Sequence, residues 1–428
     1  MKFFLISLGC PKNLTDSEDF CANLMLHGHK MVFNLDEADS VIINTCAFLA
    51  SSIKEAKDNI KAAIKLKEKG QIKKIIVTGC MVDRLKQAVK EEFPQIDTVL
   101  SIAEQSRMDK LVKKEGEFIK KIQSVLAPSP YKMTLTAPHS AYLKIADGCN
   151  NRCAYCAIPY IRGNYRSKTI EDVLEEAKLM AKSGVKEFSL IAQDTTSYGQ
   201  DLYGKPQLEK LLKKLIKIKG LERIRIMYAY PHRVSKELAQ IMAGEEKLYK
   251  YLDIPLQHIS DNMLKAMRRH ANAAQTKEVL EMLRQSVPDI AIRTNFIVGF
   301  PNETEEDFEQ LNKFVADFKF DNVGIFEFFR EQGTPAYDMK PQIKQSVKKQ
   351  RADTLAETQS RVIDGINKKL KGKIVEVISD GETFGRTYKD APDIDGTVEF
   401  TEPVETGKIF KAKIIAAQGY RRIAKPVK

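Results

Sequence analysis

The sequence predicts an α/β protein in three parts: an N-terminal parallel βα domain, a central partial or full (βα) barrel, and a small C-terminal antiparallel β-barrel. Three observations carry this. Residues 1 to about 125 alternate short apolar runs with helical stretches, a second strand-helix series occupies some 220 residues from 141 onward, and about the last 60 residues are short strands between Gly, Pro and Asp turns. Strands alternating with helices imply βαβ units and parallel sheets. Closely spaced strands with turn residues imply a closed antiparallel barrel. The expected boundaries are 1–126, 140–365 and 366–428.

In the first part the strand runs are KFFLISLGC, ADSVIINTC, KKIIVTGC and DTVLSI, with helices expected over 51–69 and 83–92. Three of the four strands end on a cysteine. The carboxyl ends of parallel strands share one edge, where ligands bind, so Cys10, Cys46 and Cys80 should converge although they lie 36 and 34 residues apart. The segment APSPYKMTLTAPHS at 127–140 breaks the periodicity and reads as a linker. Next come the strand AYLKIADG, a helix from Thr169 as N-cap to Gly184 as stop, the strand EFSLIAQD, and strands at RIRIMYAY, YLDIPLQ, AIRTNFIVGF and NVGIFEFF. Loops at their C-terminal ends should form the mouth of an active site. A polar helix at about 344–370 leads to the tail strands KIVEVISD, GRTYKD, GTVEFTE and KIFKAKIIAAQGY.

With 428 residues, 43% apolar and 29% charged, the chain is ordinary globular material and not a disordered or fibrous one. Its 69 Lys and Arg against 57 Asp and Glu give a net charge of +12. That field would draw a polyanion such as RNA, and it reads equally as a solvated Lys-rich surface. The tail is mildly basic, with 13 Lys or Arg against 9 Asp or Glu over 366–428. No run approaches the 18 apolar residues of a membrane helix, so a soluble protein with no membrane partner is expected. Seven cysteines without a secretion signal point to the reducing cytoplasm and to metal rather than disulfides.

The sharpest motif is GCNNRCAYCAIP at 148–159, where Cys149, Cys153 and Cys156 stand in CxxxCxxC spacing directly after a strand. Three thiolates in one loop can hold three irons of a four-iron cluster and leave the fourth open. A structural zinc ion would call for a fourth protein ligand, and no His or Cys partner is near in sequence. Gly299 and Phe300 lie in a strand-end turn suited either to close backbone approach by a ligand or simply to leading into a helix capped by Asn302 or Thr304. Cys21, with Leu24, Met25 and Gly28, fits an apolar helix face.

The three-cysteine loop after the first strand of a (βα) series resembles the radical S-adenosylmethionine superfamily. The resemblance implies S-adenosylmethionine chelated by the open iron, Tyr155 near the adenine, Gly299 and Phe300 against the adenosine, and an acidic residue at the end of the second strand holding the methionine amine. That last role would fall on Glu187, which reads equally as a helix-cap or surface carboxylate. The second triad, in SLGCPKNLTDSE, INTCAF and VTGC, extends the resemblance over essentially the whole chain to the methylthiotransferases. It implies a second 4Fe-4S cluster on Cys10, Cys46 and Cys80, and a terminal TRAM-like barrel.

Within that family the spellings GCPKNLTDSE, KIADGCNNRCAYCAIPYIRG, AQDTTSYG, YAYP, YLDIPLQHIS, FFREQGTPAY and APDIDGT are similar to the enzymes that modify a ribosomal protein. The substrate then implied is an aspartate of the small-subunit ribosomal protein at the decoding centre. RSK at 166–168 departs from the pattern at Lys168. The implied chemistry is reductive cleavage of S-adenosylmethionine, hydrogen abstraction from the aspartate β-carbon, sulfur insertion, and methylation by a further S-adenosylmethionine. It requires a reductant protein and a sulfur donor, neither identified by sequence. The alternatives are a transfer RNA adenosine methylthiotransferase and a non-catalytic iron-sulfur protein that binds RNA or carries electrons.

Overall fold

The structure is a computed structural model that describes residues 1–120 and 132–427. Of the expected linker 127–140, residues 127–131 lie outside the described residues, as does the end of the expected N-terminal domain.

Six parallel strands form the first sheet: β1 (Lys2–Ser7), β2 (Lys30–Val32), β3 (Ser40–Thr45), β4 (Lys74–Gly79), β5 (Thr98–Leu100) and β6 (Gly116–Phe118), in the order β2-β1-β3-β4-β5-β6. The interiors of β3, β4 and β5, with Val41, Ile42, Ile43, Ile75, Ile76, Val77 and Val99, are buried, as expected of central strands covered on both faces. The helix Pro11–Leu26 follows β1 and the helix Ala50–Glu68 follows β3. The helix expected over 83–92 is instead two pieces, Cys80–Leu85 and Ala88–Glu92, separated at Lys86, where φ is 52°.

The second sheet comprises β7 (Ser140–Lys144), then, beyond the two-stranded antiparallel ribbon of β8 (Ala146–Asp147) and β9 (Arg166–Ser167), β10 (Glu187–Ile191), β11 (Arg223–Ile226), β12 (Leu248–Asp253), β13 (Ala291–Val298) and β14 (Asn322–Glu327). Its order is β14-β13-β12-β11-β10-β7 and every pair is parallel. Six strands that do not close on one another make a partial barrel, so of the two expected forms the open one is found. Thr169 caps the helix Ile170–Lys182 by accepting from the Asp172 amide at 3.1 Å. Thr304, not Asn302, caps the helix Glu305–Phe318 in a reciprocal arrangement with Asp307.

The helix Gln345–Lys368 leads into a closed five-stranded barrel of β15 (Ile374–Ser379), β16 (Phe384–Thr387), β17 (Thr397–Phe400), β18 (Ile409–Gln418) and β19 (Arg421–Pro426). It is antiparallel apart from the β17–β19 pair that closes it. β19 was absent from the expected strands. Among the described residues, no helix is long and apolar enough to cross a membrane.

Candidate functional site

β1, β3 and β4 are adjacent in the first sheet, and Cys10, Cys46 and Cys80 follow their carboxyl ends. Two glycines permit the packing. Gly9, at φ +91°, would place a Cβ 2.7 Å from Cys46 Sγ, and Gly79, at φ +98°, would place one 2.3 Å from Asn44 Oδ1. The strand ends are tied by the Asn44 amide donating to the Asn13 carbonyl at 2.8 Å and the Thr45 hydroxyl donating to the Thr78 carbonyl at 2.6 Å. Cys46 and Cys80 are buried while Cys10 is exposed. Burial pushes the Cys80 thiol up to about 12 against the opposing pull of Arg162, and it raises Cys46 as well.

The second cysteine set lies in the loop that follows β7, pinned at its base by the β8–β9 ribbon. Cys149 accepts from the Asn151 amide at 3.5 Å, and Cys153 accepts from Arg269 Nη1 at 3.6 Å with the Tyr230 hydroxyl at 3.9 Å. Burial pushes Cys149 up to about 11 and Cys156 up to about 12. Around the loop, Asp194 at the carboxyl end of β10 accepts from Asn151 at 2.9 Å and from Arg233 at 2.7 Å. Arg269 lies over the Tyr230 ring, 4.0 Å from its centroid, and Tyr230 meets His232 edge-on at 4.8 Å. Burial lowers His232 to about 4, so its imidazole is neutral near pH 7.

The two carboxyl edges are joined through Arg162, six residues beyond Cys156 and 2% exposed. Its guanidinium donates to Asp147 at 2.9 Å and to Cys80 Sγ at 3.5 Å, and it lies 2.8 Å from Asp16. Asp16 also pairs with Lys144 of β7. Ala157 and Ile161, just beyond the third cysteine of the loop, pack into the N-terminal core beside Cys80 and Met81. Arg84 reaches Glu331 across the same junction at 2.9 Å.

The donors at both cysteine sets fit an iron-sulfur cluster. Each set offers three thiols, and the seventh cysteine, Cys21, is fully buried among Phe3, Phe20, Leu24 and Ile42. Among the described residues no three His, Cys, Asp or Glu side chains converge as ligands of one metal ion do. Thiolates on separate irons of a cluster stand further apart than ligands of one ion, so both sets suit a cluster better than zinc. Because a ligating thiol must lose its proton, the raised thiols mean that iron loading releases protons.

The other expected contacts divide. Tyr155 is half-buried with its hydroxyl 3.4 Å from Arg269. Phe300 is fully buried, edge-on to Phe328 at 5.0 Å, in one apolar group with Ala154 and Tyr155. Gly299, at φ +69°, lies against the Lys348 side chain. These residues gather beside the cysteine loop. Glu187 does not, and the expectation that it holds a methionine amine is corrected. It opens β10 instead of ending it, at the sheet edge opposite the loop, paired in register with Ser140. Its carboxylate is fully buried against Arg386 of the terminal barrel at 2.7 and 3.0 Å, Ser140 at 3.0 Å and Arg225 at 3.4 Å. No acceptor capacity remains there for a ligand.

Arg162, Asn151, Asp194, Tyr230, Arg233 and Arg269 were not singled out from sequence. Asp194 and Tyr230 carried a usable signal, being polar residues at strand carboxyl ends.

Comparison with known proteins follows the same division of the chain. The Radical SAM superfamily model matches residues 143–315, the TRAM domain model matches 372–427, and the model described as Uncharacterized protein family UPF0004 matches 2–101. The chain is 50% identical over 426 residues to the ribosomal protein uS12 methylthiotransferase RimO of Elusimicrobium minutum, covering 99% of each protein. It is 40% identical over 446 residues to the protein of the same name from Acetivibrio thermocellus, covering all of this chain and 98% of the relative. Among solved structures, the radical S-adenosylmethionine methyltransferase TsrM from Kitasatospora setae superposes with a TM-score of 0.57 at 12% identity, over 78% of this chain and 73% of its own. The cobalamin-dependent S-adenosylmethionine radical enzyme OxsB gives 0.53 at 12% identity, over 85% of this chain and 56% of its own. At that identity the likeness is one of fold.

Proposed function

The chain belongs to the RimO family of radical S-adenosylmethionine methylthiotransferases, and from that premise we propose that it methylthiolates the β-carbon of an aspartate in ribosomal protein uS12. The observation that carries the reading is Arg162, which follows the contiguous three-cysteine loop, binds Asp147 at the base of that loop and donates to Cys80 of the set gathered from three strand ends. On this reading Cys149, Cys153 and Cys156 hold the cluster that binds S-adenosylmethionine, with Tyr155, Gly299 and Phe300 beside the adenosine, and Cys10, Cys46 and Cys80 hold a second 4Fe-4S cluster. Bound there, the first cluster and S-adenosylmethionine would supply a carbon-centred radical, and the second would supply the sulfur. The domains are 1–126, 140–365 and 366–428, and the site of action is the cytoplasm.

The chain's own residues have three tasks. The cysteine loop must be held in one conformation, and the β8–β9 ribbon at its base and the Asn151 amide donating to Cys149 Sγ contribute to that. Radical chemistry must be kept from water, and the N-terminal domain covers the mouth through Arg162, Lys144 and Arg84. Arg162 beside Cys80 favours that thiolate against the burial that raises it, and Arg269 donates to Cys153 Sγ at 3.6 Å.

The test is mass spectrometry of uS12 and of transfer RNA from a deletion strain, together with 5′-deoxyadenosine formation by the reduced, iron-loaded protein. Loss of the methylthio group from uS12 alone is expected. Its loss from RNA with uS12 unchanged would identify a transfer RNA enzyme, and failure to make 5′-deoxyadenosine would reject an enzymatic role.

A further inference from the structure

Lysines 12, 144, 168 and 348 are buried. Lys144 pairs with Asp16, Lys168 pairs with Glu176 at 2.5 Å, and Lys348 donates to the Phe328 carbonyl at 2.8 Å. Lys12 differs. It is 8% exposed, and among the described residues its ammonium has neither a hydrogen-bond acceptor nor an ion-pair partner. It lies over the Tyr228 ring, 3.2 Å from the centroid. The nearby carboxylates are engaged elsewhere: Asp253 with Arg293 at 3.0 Å, and Asp147 with Arg162, Gln193 and the Gly148 amide. Of the groups that act on it through charge Cys10 is the strongest, and it makes no hydrogen bond to the ammonium; a buried cation without a paired anion is costly, and a polarised ring offsets only part of that cost.

The platform beneath it is also unusual. Tyr228, two residues beyond β11, adopts φ +61°, a left-handed conformation that a bulky side chain avoids unless its surroundings impose it. Here they do: the Thr195 amide donates to the Tyr228 carbonyl at 3.0 Å, and the Tyr228 amide approaches Asp253 at 3.4 Å. Lys12 itself lies at the start of the helix Pro11–Leu26, whose first turn has neither a side-chain cap nor an acidic residue. The helix dipole there favours an anion.

We propose that Lys12, held by Tyr228, receives the carboxylate of the residue to be modified. This rests on the function proposed above. The carbon to be sulfurated in an aspartate side chain is bonded directly to the carboxylate, so an ion pair with Lys12 fixes that carbon within one bond of a held group. Lys12 is two residues from Cys10, so the same ion pair presents the carbon to the sulfur-supplying set. Holding a reacting atom this way is the main positional contribution a protein makes to such a step. Lys12 touches the substrate but donates and accepts nothing in the reaction.

The test uses peptides of the uS12 target loop with Asp or Asn at the modified position, on the iron-loaded full-length protein, with iron content measured alongside. The unaltered protein is expected to bind and modify the Asp peptide at least ~30-fold better than the Asn peptide, the scale of a charge-assisted hydrogen bond. Lys12→Gln is expected to raise KM and Kd for the Asp peptide by a similar factor and to abolish the preference. Lys12→Arg is expected to retain most of the preference. Equal binding of the two peptides by the unaltered protein overturns the proposal, as does a Lys12→Gln protein of normal iron content that keeps the preference or loses affinity for both peptides equally. If Lys12→Gln does not load iron, the preferences of the unaltered and Lys12→Arg proteins decide. Failure of the unaltered protein to modify the Asp peptide or uS12 rejects the proposed function instead.

Discussion

Replacing Glu187 by glutamine tests the junction between the partial barrel and the terminal barrel. The carboxylate is fully buried and takes two bonds from Arg386, which hold it at about 2 in place of the ordinary 4.5 despite the opposing effect of burial. At ~1.4 kcal/mol per decade of acidity, that difference corresponds to about 3 kcal/mol of interaction favouring the folded, charged form. Breaking a buried pair by removing one partner costs ~3–5 kcal/mol, so two independent routes agree. Glutamine keeps the shape, removes the charge and turns one acceptor oxygen into a donor amide facing the guanidinium groups of Arg386 and Arg225. The expected result, in hydrogen exchange of β15–β19 amides, is opening of the junction more frequent by about 100-fold. Because the folded carboxyl is depressed, its contribution is fully present above about pH 4.5 and disappears as pH falls toward 2, so the natural protein should lose protection over that interval while Glu187→Gln does not. High salt should change little, since the pair is shielded from solvent. A change in opening of less than threefold at pH 7 would refute the reasoning.

Cys153→Ala should abolish formation of 5′-deoxyadenosine, whereas Cys46→Ala should spare some of it and block sulfur insertion; equal loss of cleavage in two folded proteins would argue against the proposed division of labour. Gly299→Ala demands φ +69° of a residue with a side chain and puts a Cβ 2.3 Å from Lys348 Cγ, which should cost about 1–3 kcal/mol and lower the thermal midpoint of the central domain by several degrees. An unchanged midpoint would mean that the helix Gln345–Lys368 yields easily. Arg162→Leu takes the guanidinium from the buried carboxylates of Asp16 and Asp147, leaving them Lys144 and the Gln193 and Gly148 amides, and removes a donor from Cys80, so it should destabilise by about 3 kcal/mol and alter the electron paramagnetic resonance spectrum attributed to the proposed N-terminal cluster. Retention of both midpoint and spectrum would show that Arg162 is incidental.

The strands were legible because β-branched runs between turn residues report local preference and burial together, and the cysteine sets were legible because parallel strands carry their carboxyl ends to one edge. The Cys10, Cys46 and Cys80 set needed no long-range information beyond strand adjacency. Glu187 failed for a physical reason. It precedes the apolar run FSLI, which places it at the entry to β10, and the arginine that claims it is 199 residues away, a distance over which sequence pattern carries no pairing information. The break at Lys86 has no Gly or Pro to announce it. RRIAKP reads as a basic tail, yet Arg422 and Ala424 are buried on one face while Arg421 and Lys425 remain exposed, an alternation too short to stand out from its charge. Lys12 lay in plain view beside Cys10, but its want of a partner is a property of the folded surroundings.

An open six-stranded sheet leaves the concave face of its strands to be filled, and the terminal barrel fills part of it. The loop after β16 inserts Ala391 among Tyr142, Tyr251 and Ala291, each almost fully buried. Beside it, Asp395 accepts from the Tyr251 hydroxyl at 2.7 Å and from Arg293 at 3.1 Å, and Arg293 continues to Asp253. Removing the barrel would therefore expose aromatic surface, leave the buried Glu187 without Arg386 and take Asp395 from Arg293. A module attached by a large apolar contact and several buried ion pairs does not swing freely, unlike domains joined by small polar interfaces. On the barrel, β18 exposes Lys411 and Lys413, and Lys411 lies across from Glu376, which pairs with Arg223 of the central domain at 2.7 Å.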